Sequence, residues 1–324
     1  MPDRATLRPV TVDEVRAAAR RLAGRVVRTP LLPCPWAPGD LWVKPESLQP
    51  TGAFKLRGAT NAVAVLDPVA RARGVVTHSS GNHAQALAWA ARSYAVPAVV
   101  VMPTTSPPVK VAATRALGAE VVLVEPTERV AVAERLREER GLSLVPPYDH
   151  PDVIAGQGTV GLEIAEDLPD VDTVLVPVGG GGLASGVVVA VAALAPRARV
   201  VAVEPELAAD FAESLARGER VTWDTALTYR TVADGVRLPS VGELTWEHLR
   251  HHVDEVVTVG EDAILEATVL LATRARLVVE PSGALAVAAH LARPDRPGRT
   301  VAVVSGGNVD PALLARLLAD RPPS

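Results

Sequence analysis

From Gly74 onward, short apolar runs alternate with helical patterns, and this alternation constrains the fold more than any other feature of the chain. Residues 74–77, 98–102 and 120–124 read as strands, and 83–93, 108–117 and 128–140 as the helices that follow them. Strands separated by helical segments of ten or more residues pair in parallel, through right-handed crossovers. A fourth candidate strand lies at 142–145, and Pro146-Pro147 then interrupt the pattern. A second series follows Ile154. Its helices are expected at 158–167, 183–194, 211–216, 261–274, 281–291 and 311–318, and its strands at 173–177, 199–203, 255–259 and 300–304. Two interrupted series give two sheets. The expected fold is α/β, with two open, mostly parallel twisted sheets flanked by helices. Residues 74–149 form the small domain; 1–73 and 150–324 form the large one.

The stretch ahead of this pattern is less regular. Thr11-Val12-Asp13-Glu14 is a capping box that starts a helix running to about residue 23, where Gly24 ends it. Pro30, Pro33, Pro35 and Pro38 keep the next segment irregular, 41–44 reads as a short strand, and a helix is expected from Lys55 to about residue 66. Aromatic residues make up 3% of the chain, so the core must be built from Ala, Val and Leu. Net charge is −4 and no basic stripe is present, which argues against nucleic acid as a partner. Cys34 is the single cysteine, so neither a disulfide framework nor a thiolate metal cage is expected. The Arg-rich start carries Asp13 and Glu14 and lacks the apolar stretch of a signal peptide. The longest apolar run, 183–196, is too short to cross a bilayer. The expected location is the cytoplasm, with no membrane partner.

Three segments carry chemistry. Lys55 is one of three lysines, with Lys44 and Lys110, in a chain that otherwise takes positive charge from arginine. Arginine cannot replace lysine where an amine must lose its proton and attack a carbonyl. Gly179-Gly180-Gly181-Gly182 follow a buried strand and open a helix at Leu183, so backbone N–H groups can converge on a phosphate. No Gly-Lys-Ser/Thr follows, and the spacing does not suit a dinucleotide loop, so a single phosphate is the better guest. Thr77-His78-Ser79-Ser80-Gly81-Asn82-His83 lies at another strand end and suits either a carboxylate site or a plain helix cap. Ser305-Gly306-Gly307-Asn308 closes the last strand at the edge where α/β sheets bind ligands. A lysine, a phosphate cup, a carboxylate cup and a hydroxyl together fit pyridoxal phosphate holding an amino acid.

On these residues the chain resembles the fold-type II pyridoxal-phosphate enzymes, in particular the serine/threonine dehydratase and serine racemase group. Thr51-Gly52-Ala53-Phe54-Lys55-Leu56-Arg57-Gly58-Ala59, Ser79-Ser80-Gly81-Asn82-His83-Ala84-Gln85, Ile154-Ala155-Gly156-Gln157-Gly158-Thr159, the four glycines, Ala233-Asp234-Gly235-Val236, Glu280-Pro281-Ser282-Gly283-Ala284 and Ser305-Gly306-Gly307-Asn308 occur in family order over nearly the whole chain. The resemblance implies that Lys55 forms the imine with the cofactor and that Phe54 lies beside its ring. Asn82 would bond the ring oxygen, Gly179, Gly180, Gly181, Gly182 and Leu183 the phosphate, and Ser305 the ring nitrogen. Gly235 and Glu280 complete the cofactor set, and Ser79, Ser80, Gly81 and His83 would hold the substrate carboxylate. The family usually has Ser where this chain has Ala53.

The implied reaction is β-elimination. Lys55, once freed, takes the Cα proton of L-serine or L-threonine, and pyruvate or 2-oxobutyrate leaves with ammonia. Ser80 stands where serine racemases carry a second acid/base, so serine racemisation is an alternative, as is threo-3-hydroxyaspartate dehydration. Glu204, Ala208 and Asp210 match the divalent-cation site of the racemase-like group, which suits Mg²⁺, Ca²⁺ or Mn²⁺; two solvated acids are the simpler alternative. A homodimer is implied too, and the end at Ser324 leaves no expectation of a C-terminal regulatory domain. Arg129 either pairs a second substrate carboxylate or caps a helix start, and His251-His252 read as a solvated loop pair.

Overall fold

The computed structural model describes residues 8–79, 81–293, 295 and 297–320. Its elements in chain order are α1 (Val12–Leu22), β1 (Leu32–Pro33), β2 (Asp40–Pro45), α2 (Lys55–Ala64), α3 (Pro68–Arg73), β3 (Val75–His78), α4 (Asn82–Ser93), β4 (Ala98–Pro103), α5 (Pro108–Ala116), β5 (Glu120–Val124), α6 (Arg129–Arg140) and β6 (Ser143–Leu144). These are followed by α7 (Pro151–Asp167), β7 (Thr173–Pro177), α8 (Gly182–Leu194), β8 (Arg199–Pro205), α9 (Asp210–Arg217), α10 (Thr225–Thr228), α11 (Glu243–His252), β9 (Glu255–Val259), α12 (Glu261–Thr273), α13 (Pro281–Leu291), β10 (Arg299–Val304) and α14 (Pro311–Asp320). The strands form a six-stranded sheet of order β1-β2-β10-β7-β8-β9 and a four-stranded sheet of order β5-β4-β3-β6. All pairings are parallel except β1 with β2. The expected α/β architecture with two mostly parallel sheets is the one observed.

The reason lies in the strands themselves. β4 and β7 are buried at every position, as a strand covered by helices on both faces must be. Their side chains are Val, Ala, Leu and Met, with Pro and Thr at the ends, and the surrounding core is of the same small aliphatic kind. The capping box of α1 is present: the Thr11 hydroxyl accepts from the Glu14 N–H, and the Glu14 carboxylate accepts from the Thr11 N–H.

Three local expectations are corrected. Leu32–Pro33 pairs antiparallel with Val43 and Trp42 inside the proline-rich segment, because an edge strand tolerates proline. α7 begins at Pro151, so the Ile154–Thr159 motif lies within a helix rather than ahead of one. His251 and His252 end α11 in its last turn rather than sitting in a loop. The short helices α3 and α10, and α11 itself, have no counterpart in the sequence expectation.

Beneath the start of α2 lies a charge network. Arg57, wholly buried, donates through Nε and one terminal nitrogen to both oxygens of Glu46, and also to both oxygens of Glu163. Lys44 Nζ donates to Glu163 at 2.6 Å and to the Thr29 carbonyl at 2.5 Å. Two cations and two carboxylates share one pocket, so the charges balance. Burial works against the Arg57 charge, but Glu46 and Glu163 outweigh it and raise its pKa. The network ties β2, α2 and α7 together through Arg57, two residues after Lys55 in α2.

Candidate active site

Lys55 is the first residue of α2, and the loop before it is fastened to the end of β10. The Phe54 N–H donates to the Ser305 carbonyl at 3.0 Å, and the Gly307 N–H to the Gly52 carbonyl at 2.8 Å. Ala53 and Gly306 form an antiparallel bridge. Gly52 has φ +71°, and a Cβ there would lie 2.4 Å from Asn308 Oδ1, so both conformation and space demand glycine. Lys55 Nζ donates to the Pro147 carbonyl at 2.7 Å and lies 4.9 Å from the centre of the Phe54 ring. Among the described residues no carboxylate pairs with this amine. Burial pushes its pKa down to about 8, which makes a nucleophilic, neutral amine accessible near neutral pH.

The glycine loop forms a cradle at the amino end of α8, where the first N–H groups of a helix have no partner within it. Tyr148 lies across the loop: a Cβ on Gly180 would come within 2.4 Å of its ring. Thr245 holds the other side, its hydroxyl donating to the Gly180 carbonyl at 2.8 Å. The Asp149 carboxylate accepts from the N–H groups of Glu243, Leu244 and Thr245 at 3.0, 3.0 and 3.1 Å, and so fixes α11 against the segment that also receives Lys55. Pro147, Tyr148 and Asp149 therefore join the lysine to the glycine cradle. Sequence reasoning left all three unplaced. α11 has no side-chain cap of its own, and its capping carboxylate lies 94 residues away, which no local pattern reveals.

A second group of predicted residues meets between the two sheets. Asn82, first in α4, donates from Nδ2 to Glu280 Oε1 at 2.7 Å, and Asn308 Nδ2 donates to Asn82 Oδ1 at 2.8 Å. Burial, then the charge of Asp234, pushes the Glu280 carboxyl up to about 7. Ser282 links Gly235, whose N–H donates to its hydroxyl at 2.8 Å, with Ser305, whose hydroxyl donates to its carbonyl at 3.4 Å. Leu183 is the buried second residue of α8. Lys110 and Asp234 face each other at 3.6 Å, joining α5 to the turn that carries Gly235.

The expected carboxylate pocket is only partly described. Ser80 lies outside the described residues. The Ser79 hydroxyl accepts from the Gly81 N–H at 3.3 Å. His83 is buried, and its Nε2 sits 2.9 Å from the Val145 carbonyl, which can only accept. Nε2 therefore carries the proton. Burial and then Lys55 lower the His83 pKa to about 3, so the ring is neutral and Nδ1 is a lone pair with no partner among the described residues. Arg129 is the first residue of α6, and its charge, after burial, lowers the pKa of His78.

Glu204 and Asp210 are buried rather than solvated. Glu204 is the next-to-last residue of β8 and Asp210 opens α9, with Ala208 in a 3-10 turn between them. The Glu204 oxygens accept from the Phe211 and Ala212 N–H groups at 3.1 and 2.8 Å, while Asp210 Oδ2 is buried with no partner among the described residues. Burial, then Asp210, raises the Glu204 pKa well above the usual carboxylate range, and burial pushes Asp210 up to about 7. Among the described residues no group of three or more His, Cys, Asp or Glu side chains is arranged around a metal position. Cys34 is buried, and burial pushes its thiol up to about 11, which makes it inert.

A lysine of lowered pKa, joined through the Pro147–Asp149 segment to a glycine cradle, is the arrangement of an enzyme that binds a phosphorylated carbonyl cofactor. A family profile described as pyridoxal-phosphate dependent enzyme matches residues 14–306. The chain belongs to that family, in its fold-type II branch. It is 43% identical over 318 residues to the L-threonine ammonia-lyase of Thermotoga maritima, covering 95% of this chain and 78% of that one. It is 39% identical over 319 residues to the L-threo-3-hydroxyaspartate ammonia-lyase of Saccharomyces cerevisiae, covering 96% and 97%. The structure of maize serine racemase superposes with a TM-score of 0.91 at 38% identity, covering 97% of this chain and 98% of that one. No helix among the described residues is long and apolar enough to cross a membrane.

Proposed function

We propose that this protein deaminates L-serine and L-threonine by β-elimination, giving pyruvate or 2-oxobutyrate and ammonia. The observation that carries the reading is the Lys55 amine, lowered to about 8 and hydrogen-bonded among the described residues only to the Pro147 carbonyl, one residue before the Tyr148 ring that packs on the glycine cradle. The cradle suits a phosphate: its four glycines leave the backbone N–H groups uncovered by side chains of their own, and a Cβ on Gly180 or Gly181 would collide with Tyr148 or Thr245. Pyridoxal phosphate bound there would supply an electron-withdrawing ring through an imine to Lys55.

The chain's own residues supply the rest. Gly179 to Gly182 and Leu183 bind phosphate through backbone N–H groups, and Phe54 flanks the ring. Asn82 donates to the ring oxygen. Ser305 offers the ring nitrogen a neutral hydroxyl, which leaves that nitrogen unprotonated and favours elimination over wider carbanion chemistry. Lys55 takes the Cα proton, the Cβ–O bond breaks and the hydroxide gains one proton to leave as water, so the proton count is unchanged; the released enamine then takes up one water to give keto acid and ammonia. Ser79, Ser80 and Gly81 take the substrate carboxylate. The neutral His83, with an unpaired Nδ1, is better suited to accept a hydrogen bond than to hold an anion.

Glu204, Asp210 and the Ala208 carbonyl hold a divalent cation, Mg²⁺ first. Two adjacent buried carboxylates, one with an unpartnered oxygen, are the support for this reading. Residues 74–149 form a small domain beside a large cofactor-binding one made of 1–73 and 150–324. A cytoplasmic homodimer completes the reading, supported by the resemblance alone.

The test is incubation of the pyridoxal-phosphate-loaded protein with L-serine, L-threonine, D-serine and threo-3-hydroxyaspartate. Release of pyruvate and 2-oxobutyrate, lost in Lys55→Ala, is the expected result. Inversion of recovered serine without keto acid would establish a racemase instead, and keto acid from hydroxyaspartate alone would move the substrate to a dicarboxylate.

A further inference from the structure

The Asn82 side chain has only one orientation open to it, and a backbone carbonyl two residues removed in the hydrogen-bond chain decides which. The Thr51 carbonyl can only accept, so the Asn308 group 2.9 Å from it is the amide nitrogen. That nitrogen has two hydrogens, and the second reaches Asn82 at 2.8 Å, so the Asn82 atom it meets must be the amide oxygen. The Asn82 nitrogen is thereby turned toward Glu280, whose Oε1 accepts at 2.7 Å. One N–H of Asn82 is left to donate. Glu280 is itself held, since its N–H donates to the Gly306 carbonyl at 3.1 Å and its side chain is buried. Amide orientation, normally a free choice between two flips, is fixed here from the main chain outward.

We infer that Asn308 and Glu280 are positioning residues that hold the Asn82 amide so that it presents an N–H, and never its carbonyl, to the ring oxygen of the cofactor. This rests on the reading of Lys55 and Asn82 as a pyridoxal phosphate site. A fixed N–H donor favours the anionic form of the oxygen it faces, whereas a carbonyl in its place would repel that form and favour the protonated one. The relay therefore sets the protonation balance of the bound imine before any substrate arrives. It also spans the two sheets: Asn82 follows β3 of the four-stranded sheet, while Asn308 and Glu280 belong to the segments around β10.

Asn308→Asp tests this directly, because a carboxylate can donate neither to Thr51 nor to Asn82. The readout is the absorbance of the loaded protein without substrate, in which anionic and protonated ring-oxygen forms have separate bands. Asn308→Asp is expected to change the ratio of the bands by about tenfold, the effect of a one-unit pKa shift. Glu280→Leu removes the acceptor of the Asn82 amide and is expected to shift the ratio in the same direction as Asn308→Asp; an unchanged ratio in the folded protein would overturn a positioning role for Glu280. In an Asn82→Ala background Asn308→Asp should add nothing further. An equal shift in that background, or an unchanged ratio in a folded Asn308→Asp protein, would overturn the relay. Asn308→Ser, which keeps one donor, is the second variant should the first not fold; it is expected to shift the ratio in the same direction by less, and a wild-type ratio would again overturn the relay. In the cofactor-free protein, slow hydrogen exchange at the Asn82 side-chain amide should be lost in Asn308→Asp, and rapid exchange already in the wild type would count against the relay. A wild-type protein that forms no adduct with pyridoxal phosphate at Lys55 would instead overturn the underlying reading of the site.

Discussion

The amine of Lys55 and the carbonyl oxygen of Pro147 lie 2.7 Å apart, although 92 residues separate them in the chain. A carbonyl holds the amine in place without adding negative charge, so burial alone governs its proton. Burial disfavours the charged form and lowers the pKa to about 8. Only the neutral amine attacks an aldehyde. Uptake of pyridoxal phosphate by the cofactor-free protein should therefore speed up with rising pH to about 8 and level off above it. An exposed lysine would still be gaining rate near about pH 10. Rapid-mixing absorbance over a pH series checks this, and Lys55→Arg should show no uptake.

Asp149, two residues further along the same segment, caps α11 through three N–H groups. Asp149→Ala should cost about 1–2 kcal/mol of stability, at the upper range for a lost cap. Because Thr245 of that helix also holds the Gly180 carbonyl, cofactor affinity should fall along with stability. Urea denaturation and equilibrium dialysis of the cofactor measure the two effects separately.

Arg57→Met would leave Glu46 and Glu163 facing each other in the core with only Lys44 to offset them. Breaking a buried charge network from one side typically costs about 3–5 kcal/mol. Arg57→Lys, which keeps the charge but not the forked geometry, should cost less than Arg57→Met yet remain clearly destabilising. Denaturant midpoints at constant slope would show both.

The carboxylates of Glu204 and Asp210 supply the fourth prediction. Thermal stability of the wild type should rise with Mg²⁺ and fall with chelator. Occupancy at 100 times the dissociation constant is worth about 2.7 kcal/mol. Asp210→Asn should remove the response. A melting temperature indifferent to both Mg²⁺ and chelator would eliminate the cation reading.

The strands at 120–124, 173–177 and 255–259 and the helix at 281–291 were legible residue for residue, because each is a clean apolar run or period bounded by Gly, Pro or charge. α11 was not. Its buried residues Leu244, Thr245, Trp246, His248 and Leu249 mix polar with apolar types, and its capping group comes from a distant loop. The edge strand Leu32–Pro33 was hidden for the opposite reason, since prolines that argue against a central strand are tolerated at an edge.

The site divides in the same way. Lys55, the four glycines, Asn82 and Ser305 could be named from the sequence, because unusual residue types at strand ends carry their chemistry locally. Sequence alone likewise determined the α/β class and the parallel sheets, through the alternation of short apolar runs with helical periods. Only the tertiary structure decided that Glu204 and Asp210 are buried rather than solvated, that His83 is neutral with its proton on Nε2, and that Asn82 is locked by Asn308 and Glu280. These are properties of environment: the His83 proton is placed by a carbonyl 62 residues away and the Asn82 amide by side chains 198 and 226 residues away, and no local pattern encodes that approach.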